Sequence, residues 1–448
     1  MEKAQTELFS RAALRRLILP LLIEQTLAVT VGIADTMMVS YAGEAAVSGV
    51  SLVDMLVNLI FQVFAALATG GAVVTSQFLG ARRRDKACDS AGQLLLLSAG
   101  AGLGIMALAL ALARPLLRGL FGQIEPDVMD ACLIYLRIGA VSFPFLAIYN
   151  AGAALFRSMG NSKISMKISL LVNLVNIAGN AVCIFGLHMG VAGVALPSLV
   201  SRALGALLIL RPLADQNAPV SVDLRAGLRL ERQMVGRILH IGVPSAFENS
   251  LFQLGRVLLV SLIAQYGTVQ IAANAVANNL DNLGIIPGQA YGLAMITVIG
   301  QCIGARDPAQ ARRYTRLLMG QAYLILGGLN AGMLLCLPLL LRLYSLSGET
   351  LALASLLVWI HAGFAILLWP ASFVLPNVLR AANDVRFTMT VSVLSMAVWR
   401  VGMSYFLSAR FGLGAEGVWA AMVLDWVCRT ICFAARYFSG RWQTKYVE

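Results

Sequence analysis

The sequence predicts an all-α integral membrane protein with twelve transmembrane helices arranged as two parallel six-helix repeats. Three observations carry this prediction. The chain is 59% hydrophobic and 12% charged, with a mean hydropathy of +0.78, and a water-soluble domain this apolar would expose far too much hydrocarbon. Apolar runs of about 20 residues or more, enough to cross a ~30 Å hydrocarbon core as helix, recur about twelve times. Finally, "QFLGARRRDKA" from Gln77 returns as "QCIGARDPAQA" from Gln301, 301 − 77 = 224 residues later, half of the 448-residue chain.

The apolar runs lie near 15–40, 46–76, 90–113, 130–155, 164–187, 190–212, 236–266, 270–300, 315–342, 351–378, 386–409 and 414–437. None alternates with the ten-residue period of a barrel strand. The first follows Arg11, Arg15 and Arg16, but it is long and lacks a small-residue cleavage site, so it reads as a retained helix.

Charge placement sets the topology. With the N-terminus inside, 26 Lys and Arg fall at the termini and in the loops after even-numbered helices, against four (Arg114, Arg118, Arg342 and Arg410) in the opposite loops. That bias places both termini in the cytoplasm of a multi-pass protein of the cell (plasma or inner) membrane, with an even helix count. It also assigns the net charge of +12 to the membrane face, so nucleic acid is not expected as a partner.

The 224-residue shift pairs Pro20 with Pro244, Glu24 with Glu248, Asp54 with Asn278, Asn58 with Asn282, and Gly80-Ala81-Arg82 with Gly304-Ala305-Arg306. Each half thus holds six helices. Because six is even, both halves start on the same side, as parallel repeats about an axis along the membrane normal. The expected domains are an N-terminal lobe over 1–212, a charged cytoplasmic linker over 213–235, and a C-terminal lobe over 236–448.

Catalytic and metal signatures are missing. Seven scattered cysteines lack Cys-x-x-Cys spacing, and His188, His240 and His361 share no ligand spacing. No His-Glu-x-x-His, Gly-x-Ser-x-Gly or phosphate-binding glycine loop occurs, so no enzyme, metal site or cofactor is expected.

Intramembrane polar residues cost about 2.5–3.5 kcal/mol each when ionised at the centre of the bilayer, so they are functional candidates by default, with interhelical hydrogen bonding as the alternative. Asp54, Asn58 and Gln62 step by four along helix 2, and Asn274, Asn278 and Asn282 do so along helix 8, with Asp281 beside them. Matched polar stripes on apolar helices point to a water-filled cleft. Gly284, Pro287 and Gly288 would either bend helix 8 or pack it closely. Glu24 and Glu248 each follow a proline by four residues and are either gates or cytoplasmic-end hydrogen-bond anchors. Arg202, Arg256 and Arg400 should each need a carboxylate, for which Asp281 or Asp425 would serve. All six tryptophans fall in the second half, either as interfacial anchors or as an aromatic surface for flat lipophilic cations, with Trp369 foremost.

The segments "LPLLIEQTLAVTVGIADTMMVS" in helix 1, "GAR" after helices 2 and 8, "FRSMGNSK" after helix 4 and "NIAGNAVCIFG" in helix 5 resemble the multidrug and toxic compound extrusion (MATE) family, across nearly the whole chain. The resemblance implies an antiporter that exports cationic or amphipathic organic compounds against inward protons or sodium ions by alternating access, as a monomer in the bilayer. A flippase or exporter of a lipid-linked or metabolite substrate in the same superfamily is the alternative, disfavoured by a cleft that reads as neutral to acidic. The resemblance also places a cation-site aspartate at Asp35, with Asn150 of helix 4 beside it. Helix 5 carries Asn173, Asn176 and Asn180 on one face. Relatives with a site in the N-terminal lobe often have Asp where this chain has Asn180, which would leave Asp35 as that site's one anion and a sodium ion there as the only metal expected. Relatives with carboxylates in helices 7 and 10 align Phe252 and Trp369 at those positions. The chain is therefore closer to the DinF-like type than to the NorM-like type.

Overall fold

A computed structural model describes residues 7–122, 125–222, 230–344 and 346–444. Among the described residues every regular element is helical. Spans α1 (Arg11–Ser40), α2 (Glu44–Gly80) and α3 (Arg84–Ala111) are followed by a short helix, Ala113–Phe121. The fourth span, α4, is a pair, Pro126–Val141 and Phe143–Ser158, bent by 48°. Spans α5 (Ser162–Gly186) and α6 (Ala192–Leu213) complete the first six. The second six are α7 (Arg232–Ala264), α8 (Thr268–Gly284 continuing as Ile286–Gly304), α9 (Pro308–Leu341), α10 (Gly348–Ala381), α11 (Val385–Phe411) and α12 (Ala415–Phe438). Among the described residues, eleven helices are long and apolar enough to cross a membrane, twelve with the bent pair as one span.

The duplication extends to the backbone. Shifting by 224 carries the end of α1 at Ser40 to the end of α7 at Ala264, and the bounds of α2, Glu44 and Gly80, to those of α8, Thr268 and Gly304. The tight turns repeat as well: Gly43 and Gly267 have φ of 103° and 95°, and Arg82 and Arg306 have φ of 57° and 54°. Glycine meets the first requirement without a Cβ clash. An arginine at positive φ is uncommon, and its recurrence marks one inherited turn. Caps differ between copies: in the second, the Asp307 carboxylate accepts from the Gln310 N–H at 2.9 Å ahead of Pro308, as expected of an N-cap followed by proline.

The repeats diverge where their helices break. Span α2 is continuous, whereas α8 is interrupted at Ile285, where Asn330 of α9 donates to the Gly284 carbonyl at 3.0 Å. The glycines allow close packing: a Cβ at Gly284 would meet the Asn330 side chain, and one at Gly288 would meet the Trp369 ring. In the first repeat the break falls in α4 at Ser142, just ahead of Pro144. Five-residue and seven-residue π-helical turns interrupt α5 (Val182–Gly186), α10 (Pro370–Val374) and α11 (Met396–Gly402); such turns often occur at functional sites.

The chain divides into two compact units, Arg11–Ala246 and Met1–Ser10 with Phe247–Glu448. The division falls inside α7, beyond the 213–235 linker. The described part of that linker packs on its own unit: Arg84 donates to the Ala218 carbonyl at 2.8 Å and Val220 is fully buried. The linker residues 223–229 lie outside the described residues. In the C-terminal unit, the Phe9 N–H donates to the Tyr314 hydroxyl at 3.0 Å and the Phe9 carbonyl accepts from it at 2.9 Å. The N-terminal unit's core joins α2, α3 and α4 through Val53, Phe64, Ala109, Leu136 and Phe143. Large apolar side chains such as Leu324 and Leu335 remain exposed, as lipid-facing positions should.

Candidate coupling and substrate sites

In the N-terminal unit a chain of polar side chains crosses otherwise apolar helices. Asn180 of α5 donates through Nδ2 to Asp35 of α1 at 2.9 Å and to the Asn176 amide oxygen at 3.3 Å. Asn176 in turn donates to Ser198 of α6 at 3.0 Å. Asn180 is fully buried, and its amide oxygen has no hydrogen-bond partner. An oxygen in that condition is a vacant ligand position beside a carboxylate. The i, i+4 spacing of Asn176 and Asn180 stacks them on one face, as the sequence pattern expected.

Other expected members are placed differently. Asn173 donates to Ser169 on its own helix at 3.4 Å. Asn150 keeps a buried Nδ2 without a partner and makes no described hydrogen bond to Asp35. Nor is Asp35 the unit's only nearby acid. Asp54 of α2 accepts from the Tyr135 hydroxyl at 3.0 Å, and both Asp54 and Arg202 lie close enough to act electrostatically on Asp35. Arg202 was expected to pair with Asp281 or Asp425; instead it donates to the Ser142 hydroxyl at 2.8 Å, at the α4 bend, and faces Asp54 and Asp35. Tyr135 and Ser198 belong to the site although no sequence pattern marked them. Of the stripe on α2, Asp54 is half-buried and Asn58 exposed.

Glu24 and Glu248 sit in duplicated ion pairs. Arg157 lies 3.8 Å from Glu24, which also accepts from Ser165 at 3.0 Å; Arg380 reaches Glu248 at 2.6 Å. The acids are related by 248 − 24 = 224 and the arginines by 380 − 157 = 223. Both acids are thus paired with an arginine, as the anchor reading expects.

The C-terminal unit holds a different constellation. Asp281 of α8 lies in close contact with His361 of α10, whose ring is wedged edge-on between Trp419 and Trp426. Asp425 of α12 is bound by Arg429 at 2.8 Å, approached by Arg400 at 3.7 Å and hydrogen-bonded by Ser395 at 2.6 Å. Arg400 and Arg429 lie over the Phe252 ring at 5.1 and 5.6 Å. Arg400 thus finds one of its expected partners, whereas Arg256 makes no ion pair among the described residues. A small, half-open cleft is lined by Arg256, Asn274, Asn278, Arg400, Trp419 and Met422 among others. Asn282 and Asp281 do not line it. Trp369 does not either: it stacks on Phe373 at 4.9 Å, and Trp419, donating to Asn274 at 2.9 Å, takes the place expected of it. Two of the lining residues are arginines, so this cleft is basic where a neutral to acidic one was expected. No group of three or more His, Cys, Asp or Glu suited to a metal occurs among the described residues.

A family model described as MatE matches the chain twice, over residues 20–182 and 244–406. The two matches start 244 − 20 = 224 residues apart, the shift of the internal repeat. Among curated proteins, the chain is 28% identical to an uncharacterized transporter, YisQ, of Bacillus subtilis, covering 95% of this chain and 94% of that one. It is 24% identical to a probable multidrug resistance protein NorM of Thermotoga maritima, covering 98% and 94%. Among solved structures, a MATE in complex with MaD3S superposes with a TM-score of 0.89 at 22% identity, covering 97% of this chain and 96% of that one. At that identity the likeness establishes the fold, with its twelve helices in two repeats.

Proposed function

The chain belongs to the MatE family, whose members are multidrug efflux transporters rather than enzymes, and from that premise we propose that it is a secondary active antiporter. It exports cationic or amphipathic organic compounds across the cell membrane in exchange for protons or sodium ions, as a monomer with both termini in the cytoplasm. The observation that carries this reading is the bond from Asn180 to Asp35, with a buried amide oxygen left vacant beside it. A proton neutralises Asp35 directly. A sodium ion would find the carboxylate and the oxygens of Asn180 and Asn176 within one network, which suits a hard cation that prefers oxygen ligands.

Cation entry at Asp35 removes an uncompensated charge from the membrane interior and competes with the Asn180 hydrogen bond. It thereby favours one arrangement of α1 against α5 over another. Alternating access follows if substrate and cation prefer different arrangements. One inward charge at 100 mV supplies about 2.3 kcal/mol. Phe252 and Trp369, packed among aromatic rings, offer no carboxylate at the positions where the resemblance would seek a second cation site. This supports the DinF-like over the NorM-like type. The basic cleft lends support to a second reading, export of a lipid-linked or metabolite anion.

The test is transport by reconstituted vesicles of one lipophilic cationic and one zwitterionic dye, under separately imposed proton and sodium gradients. Antiport predicts uptake or efflux that reverses with the direction of one gradient. Movement of neither dye under either gradient contradicts it.

A further inference from the structure

The two repeats carry opposite charge in their interiors. Around Asp35 in the N-terminal unit stand two acids, Asp35 and Asp54, and one base, Arg202. Around the C-terminal cleft stand three bases, Arg256, Arg400 and Arg429, and two acids, Asp281 and Asp425. The inversion can be traced residue by residue. Arg256 occupies the position of Gly32 (256 − 224), and Leu259 that of Asp35 (259 − 224). Asp425 occupies the position of Arg202 (425 − 223), using the 223-residue shift that relates the starts of α6 and α12, Ala192 and Ala415. The excess of one positive charge is concentrated at the cleft. Asp425 is held by Arg429 and Ser395 as well as by Arg400, and Asp281 is engaged by His361. Arg256, exposed in the cleft wall, has no hydrogen-bond or ion-pair partner among the described residues. Arg400, with its side chain 12% exposed, leaves a buried Nε without an acceptor. An unpaired guanidinium within a membrane span is costly, and its geometry favours planar oxyanions. Opposite the arginines, Trp419 is fixed by its bond to Asn274, with Met422 and Val418 beside it, so the cleft also has an apolar wall.

We propose that this cleft is a subsite for the anionic group, a carboxylate or sulfonate, of an aromatic amphipathic substrate. Arg256 and Arg400 bind the oxyanion, and Trp419 and Met422 bind the ring. The proposal rests on the efflux reading and narrows it: the cargo carries a negative charge, alone or in a zwitterion, and the binding charge has the opposite sign to the cation site in the other unit. The bound oxyanion cancels the excess positive charge within the span.

The test measures binding of 2-naphthoate and of its uncharged isostere 2-naphthamide to the purified full-length protein in detergent, by calorimetry, with no gradient imposed. The expected result is that naphthoate binds at least about tenfold more tightly than naphthamide, and that added chloride weakens only naphthoate. Arg256→Gln is expected to remove most of that preference while leaving naphthamide binding unchanged, and Arg256→Lys to retain part of it. Equal affinity of the wild-type protein for the two ligands overturns the proposal. So does a loss of both ligands together in Arg256→Gln, which would make Arg256 structural. If that variant does not fold, the wild-type preference and its chloride dependence still decide. Antiport can fail in vesicles while naphthoate binding persists, and the reverse, so the two readings fail separately.

Discussion

The pair formed by Glu248 and Arg380 offers a quantitative choice between an anchor and a gate. Glu248 is 7% exposed, the Arg380 side chain 16% exposed, and their charged atoms are 2.6 Å apart, with Arg380 also donating to Asn377 at 2.9 Å. Arg380→Gln leaves a buried carboxylate without its counter-charge. Breaking a buried pair from one side costs about 3–5 kcal/mol, equivalent to a change of roughly two to three and a half orders of magnitude in the folding equilibrium. The repeat-related variant Arg157→Gln should cost less, about 1.5–3 kcal/mol, the range for an interaction with a charged group, because Arg157 is 3.8 Å from Glu24 and Ser165 still donates to that acid. The double variant Glu248→Gln/Arg380→Gln removes both charges and should recover most of the loss. Reversible unfolding in mixed micelles, followed by tryptophan fluorescence, measures all three differences from the wild type. If Arg380→Gln stays within about 0.5 kcal/mol of the wild type, the range of a neutral surface change, and yet abolishes transport, the anchor reasoning is wrong and Glu248 is a gate.

Three further outcomes follow from the same structure. Gly70→Ala would bring a Cβ to 2.5 Å from the Ile238 carbonyl and 2.9 Å from the Gly242 nitrogen; these are backbone atoms that cannot rotate away, so about 1–3 kcal/mol of stability should be lost in the same unfolding assay. Cys88, whose Sγ accepts from the Ser221 N–H at 3.4 Å, should resist an impermeant maleimide in intact cells and react after lysis; labelling from outside would reverse the topology. Asn180→Asp places a second carboxylate against Asp35, so vesicle transport should gain sodium dependence or shift its pH optimum, and an unchanged profile would remove Asn180 from the cation site.

Much of the architecture could be read from the chain because helix length and apolarity are local properties. The same 224-residue shift that aligns "GAR" with "GAR" also aligns the turns at Gly43 and Gly267. The Asn176 and Asn180 face was equally legible, since i, i+4 spacing dictates a shared face. What could not be read were partners set by tertiary packing. Asp54 appeared as one member of a polar stripe, and its partner Tyr135 lies 81 residues away on another helix. His361, isolated in an apolar run, gave no hint of Asp281, which lies 361 − 281 = 80 residues away and on another helix. Trp369 was the deepest tryptophan in its run, but the π-helical turn that follows it at Pro370–Val374 belongs to a stack with Phe373, leaving Trp419 to line the cleft. The charge of that cleft depends on which arginine lacks a partner, which composition and spacing do not reveal.

On the proposed antiport function, cation coupling resides at Asp35 in the N-terminal unit. Asp35→Asn removes the charge while keeping the shape and an oxygen able to accept from Asn180, so the variant should insert and unfold like the wild type. The decisive measurement is gradient-driven dye transport by Asp35→Asn in vesicles at matched protein density, beside the wild type. The account predicts that transport no longer responds to the imposed proton or sodium gradient. Gradient-driven transport at the wild-type rate would contradict it and move the coupling site elsewhere, with Asp54 and the Asp281–His361 pair as the groups to examine next.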